Sequence, residues 1–79
     1  MADAVTMNVS DCVKQMGVNI SALSRKTKIS DNALRRSIVN RERDLRAGEF
    51  MDICKFLGKN PLDFYPENGR GGMDAQDSA

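Results

Sequence analysis

The amino-acid sequence predicts an all-α fold, a compact bundle of about five short helices, and three observations support this prediction. Apolar residues recur at positions i, i+3, i+4 and i+7 in residues 9–16 and 50–57, which is the spacing of one buried helix face. A glycine follows each of these segments, Gly17 and Gly58, and glycine commonly ends a helix in a left-handed conformation. No stretch alternates apolar and polar residues for long enough to predict a strand.

The first two helices are expected in the N-terminal third of the chain. Residues 1–7 show no periodic pattern, which predicts a flexible N-terminus. The first helix is expected over about 9–16 with Asn8 or Ser10 as its cap, and the second helix should begin after the cap residue Asn19. The second helix would face the core through four residues: Ile20, Leu23, Ser24 and Thr27.

Residues 20–38, ISALSRKTKISDNALRRSI, indicate two short helices joined by a tight turn. Lys28 lies where the chain must turn sharply, so we expect a positive φ there, at a cost of about 1 kcal/mol for a residue other than glycine. The third helix, capped by Ser30, should extend to about residue 39 and face the core through Leu34. This is the layout of a helix-turn-helix, whose second helix is offered to the DNA major groove.

The remainder of the chain predicts two further helices and a polar tail. A fourth helix is expected over about 46–57, and a short fifth helix, PLDFY, over 61–65. The helix-turn-helix domain is therefore assigned to 8–66, and the glycine-rich polar residues 67–79 are expected to be disordered. The predicted core consists of twelve residues: Val9, Val13, Met16, Leu23, Ile29, Leu34, Ile38, Phe50, Ile53, Cys54, Leu57 and Leu62.

The net charge of the chain is only +1, but its charges are unevenly distributed. Residues 25–46 contain eight basic and three acidic residues, a net charge of +5, and the remainder of the chain carries −4. A domain polarised in this way can present a basic side to a polyanion such as DNA. On charge alone, a solvated charged surface explains the pattern equally well.

Three segments carry a resemblance to a known family: VNISALSRKTKIS, the cap and apolar spacing of SDNALRRSI, and EFMDICKFLGKNPLDFY. Over about residues 9–65 the chain resembles the Cro and phage-repressor type of helix-turn-helix domain, also called XRE-like or lambda-repressor-like. The resemblance implies a small DNA-binding transcriptional regulator of phage, prophage or bacterial origin that acts by occupying an operator.

Four features depart from the family pattern. Ile20 stands where the second helix usually begins with glutamine or another polar residue that touches a phosphate, and Lys28 replaces the usual turn glycine. Ser37 occupies a position late in the third helix that is usually apolar. Residues 39–41, VNR, stand where Glu-Asn-Gly often follows.

The third helix carries the candidate base-contacting residues. At about 100° per residue, Asn32 and Arg36 lie roughly 160° and 200° from the core-facing Leu34, and Arg35 lies beside them. The family's base-reading positions fall on residues 31–33 and 36. Asn can bond to adenine and Arg to guanine, each contact contributing about 1 to 3 kcal/mol of discrimination. Asp31 could accept from cytosine, or it could serve only the helix dipole.

Four further residues are candidates for phosphate contacts, which position a protein on DNA without specifying a sequence. Lys28 precedes the third helix, and Arg41 and Arg43 follow it. Ser21 lies in the first turn of the second helix, where free backbone N–H groups attract phosphate.

The composition argues against several other functions. The chain has no histidine, the commonest acid–base group, and its two cysteines are too few for a zinc site. Cys12 and Cys54 are therefore expected to be reduced core residues. No run of about 18 apolar residues predicts a membrane span, and no secretory signal is recognisable. We expect a cytoplasmic protein with no enzymatic activity, cofactor, metal or small-molecule substrate.

The sequence thus favours sequence-specific binding of double-stranded DNA. The alternative is a protein-interaction module, antirepressor- or antitoxin-like, that keeps the helix-turn-helix and does not bind DNA itself. A monomer or weak homodimer is expected in solution, because little of the chain lies beyond the fifth helix. The candidate contact residues of such a dimer are Phe56, Leu62, Phe64 and Tyr65.

Overall fold

A computed structural model of the chain describes residues 1–66, and all the regular secondary structure within this range is helical. The predicted all-α class is therefore confirmed for the described residues. The predicted tail, 67–79, lies outside them. The α-helices are α1 (Ala4–Met16), α2 (Ile20–Thr27), α3 (Asp31–Leu34) and α4 (Ala47–Leu57).

Two shorter helical segments complete the fold. A π-helical segment, Arg35–Val39, continues α3 without a break, and we call residues 31–39 together the third helix. After α4 the chain forms a single 3-10 turn, Pro61–Phe64, where the sequence predicted a fifth helix. Asn60 caps this turn, because its Oδ1 accepts a hydrogen bond from the Leu62 N–H at 3.0 Å.

Helix α1 begins five residues before its predicted start, and its cap is Asp3 rather than Asn8 or Ser10. The Asp3 carboxylate accepts the Thr6 N–H at 2.9 Å, a typical N-cap contact. Residues 4–7, which were expected to be flexible, are therefore helical. The chain ahead of α1 is also bonded to the protein, because the Ala2 N–H donates to the Arg41 carbonyl at 2.8 Å.

Three helices end in a left-handed residue, as the sequence predicted. Gly17 and Gly58 both have φ of 68°, and Lys28, at the end of α2, has φ of 66°. Glycine adopts this conformation without steric cost, whereas a lysine that adopts it is strained by its Cβ atom. The prediction of a strained turn at Lys28 is therefore confirmed.

The core is formed where α1 packs against the π-helical segment and α2 packs against α3 and α4. Ten of the twelve predicted core residues are buried. Met16 and Leu62 were predicted wrongly, because these residues are 49% and 58% exposed. Met16 is the last residue of α1, beyond the part of the helix that is covered, and Phe64 takes the inward position in the 3-10 turn.

Phe64 anchors the end of the described chain. Its ring meets the ring of Phe50 edge to face, with a centroid distance of 6.1 Å and an interplanar angle of 77°. The Asn8 amide donates to the Phe64 carbonyl at 2.7 Å, which ties the 3-10 turn to α1. Phe64 is therefore a core residue, and the prediction that it is a dimer contact is wrong because only 5% of it is exposed.

Candidate nucleic-acid interface

The turn between α2 and the third helix is held by side-chain hydroxyl groups. The Ser24 hydroxyl donates to the Ile29 carbonyl at 2.5 Å, and the Thr27 hydroxyl donates to the Leu23 carbonyl at 2.7 Å. The Lys28 N–H bonds to the Ser24 carbonyl at 2.8 Å. The Lys28 N–H keeps the regular helical partner four residues back, and the Ser24 hydroxyl satisfies a carbonyl that lies in the turn, outside the helices. These bonds fix the direction in which the third helix leaves α2.

Ser30 caps the third helix as predicted, because its hydroxyl accepts the Ala33 N–H at 3.1 Å. The helix buries Leu34, Ser37 and Ile38. Its opposite side is exposed and includes every residue that the sequence placed outward. This outward face consists of Asp31, Asn32, Arg35, Arg36 and Val39.

The second half of the third helix is wider than an ordinary α-helix. The Asn40 N–H bonds to the Arg35 carbonyl at 2.8 Å, five residues back, which defines the π-helical turn. A wider turn places more residues per revolution, so the neighbours Ser37 and Ile38 can both face inward. This wider turn was not expected, since the third helix was predicted to be regular up to about residue 39.

Arg35 forms only a weak contact within its own helix. One of its guanidinium nitrogens lies 3.7 Å from the Asp31 carboxylate, four residues earlier, and both side chains are about half exposed. An exposed pair of this kind stabilises a helix by only about 0.3 to 0.5 kcal/mol. Arg35 can therefore exchange this partner for a phosphate or a base at little cost. Arg36 has no ion pair among the described residues.

Arg41, a candidate for phosphate contact, holds the loop after the third helix against α1. It adopts a left-handed conformation with φ of 58°. Its Nε donates to the Ser10 hydroxyl at 3.1 Å and its Nη2 to the Asp11 carboxylate at 2.5 Å. The Ser10 hydroxyl in turn donates to the Ile38 carbonyl at 2.5 Å. A phosphate would have to compete with these internal partners for the Arg41 guanidinium.

Arg43, the other candidate after the third helix, has still stronger internal partners. Its guanidinium forms two parallel hydrogen bonds of 3.0 Å with the Glu49 carboxylate and donates to the Ser37 hydroxyl at 3.1 Å. The Arg43 and Glu49 side chains are only 19% and 20% exposed. The contact explains why a serine is buried at position 37, because its hydroxyl is satisfied by Arg43.

Glu49 is held in its charged form by this environment. Burial raises the pKa of its carboxyl, but hydrogen bonds from Arg43 and from the Arg46 N–H, together with the positive charge of both arginines, outweigh that effect. The net result is a pKa below the ordinary value. The carboxylate therefore belongs to the structural support of the third helix, where a charge is kept because it is paired.

The start of α2 is only partly open to an anion. Asn19 accepts the Ala22 N–H at 3.2 Å and so occupies one of the N-terminal donors of the helix. Ser21 is exposed, as a phosphate contact requires. Ile20, which departs from the family pattern, is partly buried and packs against the core. Position 20 therefore contributes to the packing of the core and cannot supply a polar side chain to a phosphate.

The described residues contain no group of three or more His, Cys, Asp or Glu side chains that could hold a metal ion. Both cysteines in this range are free, and burial chiefly raises the pKa of the Cys54 thiol. Within residues 1–66 no helix combines the length and the apolar character needed to cross a bilayer.

Comparisons of the chain with models of protein families, with curated proteins and with solved structures find no match.

Proposed function

We propose that this protein binds double-stranded DNA sequence-specifically and acts as a small transcriptional regulator. The binding unit would be a helix-turn-helix formed by α2, the turn at residues 28–30 and the third helix. The single observation that carries the proposal is the outward face of the third helix, where an amide and two guanidinium groups project from the side opposite the core. The resemblance to Cro and phage repressors supports the same function.

In this proposal Asn32 and Arg36 read bases in the major groove. The amide of Asn32 can bond to two atoms of adenine, and the guanidinium of Arg36 can bond to two atoms of guanine. Arg35 is the third candidate, because its weak pair with Asp31 is easily exchanged. We assign Asp31 to the helix dipole and to orienting Arg35, since a carboxylate beside DNA repels phosphate.

The phosphate contacts that fit the geometry best are Lys28 and Ser21, which are both exposed and have no ion pair within residues 1–66. Arg41 and Arg43 are better suited to a supporting role. They brace the third helix from α1 and α4, so that its outward face is presented on a rigid element. A rigid element loses less conformational entropy when it binds than a mobile one.

The proposal is tested by titrating fluorescently labelled random duplex DNA with the protein at two salt concentrations. A DNA-binding domain should bind more weakly at the higher salt concentration, because each neutralised phosphate releases a counterion. Lys28→Ala should reduce both the affinity and its salt dependence, while Lys14→Ala, on the exposed surface of α1, should change neither. Binding that is absent at low salt would contradict the proposal.

A second candidate function is a protein-interaction module that has kept the helix-turn-helix and does not bind DNA. Two observations favour it: Arg41 and Arg43 have their charges paired within the protein, and Ile20 packs where a polar phosphate contact would be expected. This module would be antirepressor- or antitoxin-like. It becomes the better account if the DNA titration shows no salt-dependent binding.

A further inference from the structure

A shallow cleft of about 380 Å³ lies between the C-terminal end of α2 and the outer surface of α4. Its α2 side is formed by Lys26, Thr27 and the turn residue Lys28. Its α4 side is formed by Asp52, Lys55 and Phe56. None of the residues on the outward face of the third helix lines this cleft. Lys28, which the proposed function assigns to a phosphate of DNA, is the one residue that the two surfaces share.

The cleft concentrates positive charge that the protein does not neutralise. Three lysines, Lys26, Lys28 and Lys55, line it, and Asp52 is the single acidic residue in its lining. Among the described residues none of these four side chains takes part in an ion pair. Like charges held around one cleft repel each other, and an anion bound between them would relieve that repulsion.

The arrangement differs from that of other cations in the same domain. Arg41 and Arg43 each have a carboxylate oxygen within 3.0 Å, supplied by Asp11 and Glu49 respectively. The lysines of the cleft have no such partner among the described residues, even though Asp52 lines the same cleft. Three lysines without ion-pair partners therefore fit an external anion that carries several negative charges. The one acidic residue in the lining, Asp52, cannot neutralise all three.

Phe56 adds an apolar surface to this basic cleft. Phe56 is 38% exposed, while the opposite face of α4 is buried. A flat ring can stack on such a surface, as nucleic-acid bases do on aromatic side chains. Asp52 supplies an acceptor that could bind the hydroxyl group of a sugar or the amino group of a base.

We propose that this cleft binds a free nucleoside polyphosphate. The lysines would hold the phosphate groups, Phe56 would contact the base, and Asp52 would accept a hydrogen bond from the nucleoside. The bases of duplex DNA are stacked within the helix and cannot reach Phe56, so a free nucleotide fits the lining better than a DNA backbone. The proposal does not depend on DNA binding by the third helix, and a nucleotide bound here would act as an effector.

The test is a two-dimensional NMR titration of the full chain with ATP and, separately, with inorganic tripolyphosphate. We expect saturable shifts of the amide signals of residues 26–28 and 52–56, with a lower Kd for ATP than for tripolyphosphate. Lys26→Gln and Lys55→Gln should each raise the Kd for ATP by at least about three-fold. Phe56→Leu should raise the Kd for ATP and leave that for tripolyphosphate unchanged.

Matched controls separate this site from general attraction of anions to a basic surface. Lys14→Gln and Lys59→Gln remove exposed lysines outside the cleft and should leave the Kd for ATP unchanged. Thermal unfolding of each variant checks that the fold is intact. The proposal is overturned if ATP at millimolar concentration gives no saturable shift, or if all four lysine variants weaken binding equally. It is also overturned if duplex DNA shifts the amides of the cleft and ATP does not.

Discussion

The guanidinium of Arg43 donates one hydrogen bond to each carboxylate oxygen of Glu49, and the N–O distance is 3.0 Å in both bonds. The same guanidinium donates to the buried hydroxyl of Ser37, and Glu49 also accepts the Arg46 N–H at 2.9 Å. These contacts join the end of the third helix to the start of α4. The proposed DNA-binding helix is therefore positioned by a charged network that lies behind it.

Arg43→Ala should destabilise the protein by about 1 to 3 kcal/mol, because it leaves Glu49 and Ser37 without their partner in a largely enclosed site. The matched control is Arg35→Ala, which removes an exposed arginine with a weak partner and should cost no more than about 0.5 kcal/mol. Urea unfolding of both variants measures the difference. If the two variants lose the same free energy of unfolding, the contacts of Arg43 with Glu49 and Ser37 stabilise the fold no more than an exposed ion pair does.

The same network predicts a dependence of stability on pH. The folded-state pKa of Glu49 lies below the ordinary value of 4.5, so the folded protein binds this proton less tightly than the unfolded chain. Its contribution is therefore complete above about pH 4.5 and is lost as the pH falls through the lower folded value. Between about pH 5 and pH 3, the free energy of unfolding of Glu49→Gln should fall less steeply than that of wild type. An identical pH profile for the two proteins would contradict this assignment.

Lys28→Gly should stabilise the protein by up to about 1 kcal/mol, because glycine adopts the positive φ of the turn without strain. The neighbouring substitution Lys26→Gly provides the contrast. Lys26 lies within α2, where glycine should cost about 0.5 to 1 kcal/mol. Thermal unfolding should therefore give a higher Tm for Lys28→Gly and a lower Tm for Lys26→Gly. A loss of stability in both would indicate that the lysine at position 28 makes a contact worth more than the strain.

Leu34→Ala should cost about 2 to 5 kcal/mol, because Leu34 is completely buried and its truncation leaves a cavity under the third helix. Val39→Ala, on the exposed side of the same helix, should change the free energy of unfolding by no more than about 0.5 kcal/mol. Chemical denaturation of the two variants tests which side of the helix faces the core. A larger effect from Val39→Ala would reverse the orientation on which the proposed function depends.

Several parts of the fold were predictable because they depend on local chemistry. The caps Asn19 and Ser30 precede helices as expected, and the glycine stops and the positive φ of Lys28 follow from the need to reverse the chain. The apolar spacing in α4 identified its buried face correctly. These features need only a few neighbouring residues, which the sequence shows directly.

The start of α1 was not predictable from apolar spacing, because its buried residues there are polar. Thr6 and Ser10 are buried one helical turn apart. The Thr6 hydroxyl accepts the Leu45 N–H at 2.9 Å, and the Ser10 hydroxyl donates to the Ile38 carbonyl at 2.5 Å. A polar residue becomes suitable for burial only when its partner is present, and these partners lie far away in the sequence.

The sequence predicted which residues of the candidate site face outward. It did not predict the contacts that hold the third helix in place. Asn32 and Arg36 face outward because helical periodicity requires it once the core-facing Leu34 is known. The partners of Arg41 and Arg43 depend on tertiary contacts with Asp11 and Glu49, which no local pattern reveals. The number of basic residues in this segment is therefore larger than the number whose charge is unpaired, because Arg41 and Arg43 are paired within the protein.

The measurement that tests the central claim most directly is the selection of preferred sites from a random pool of duplex DNA by wild type, Arg36→Ala and Lys28→Ala. Wild type should select a defined sequence. Arg36→Ala should relax the preference at one base pair and lose about 1 to 3 kcal/mol on the wild-type site. Lys28→Ala should keep the preference and bind all duplexes more weakly. If wild type selects no sequence, or if the two variants behave alike, the third helix does not read bases in the major groove.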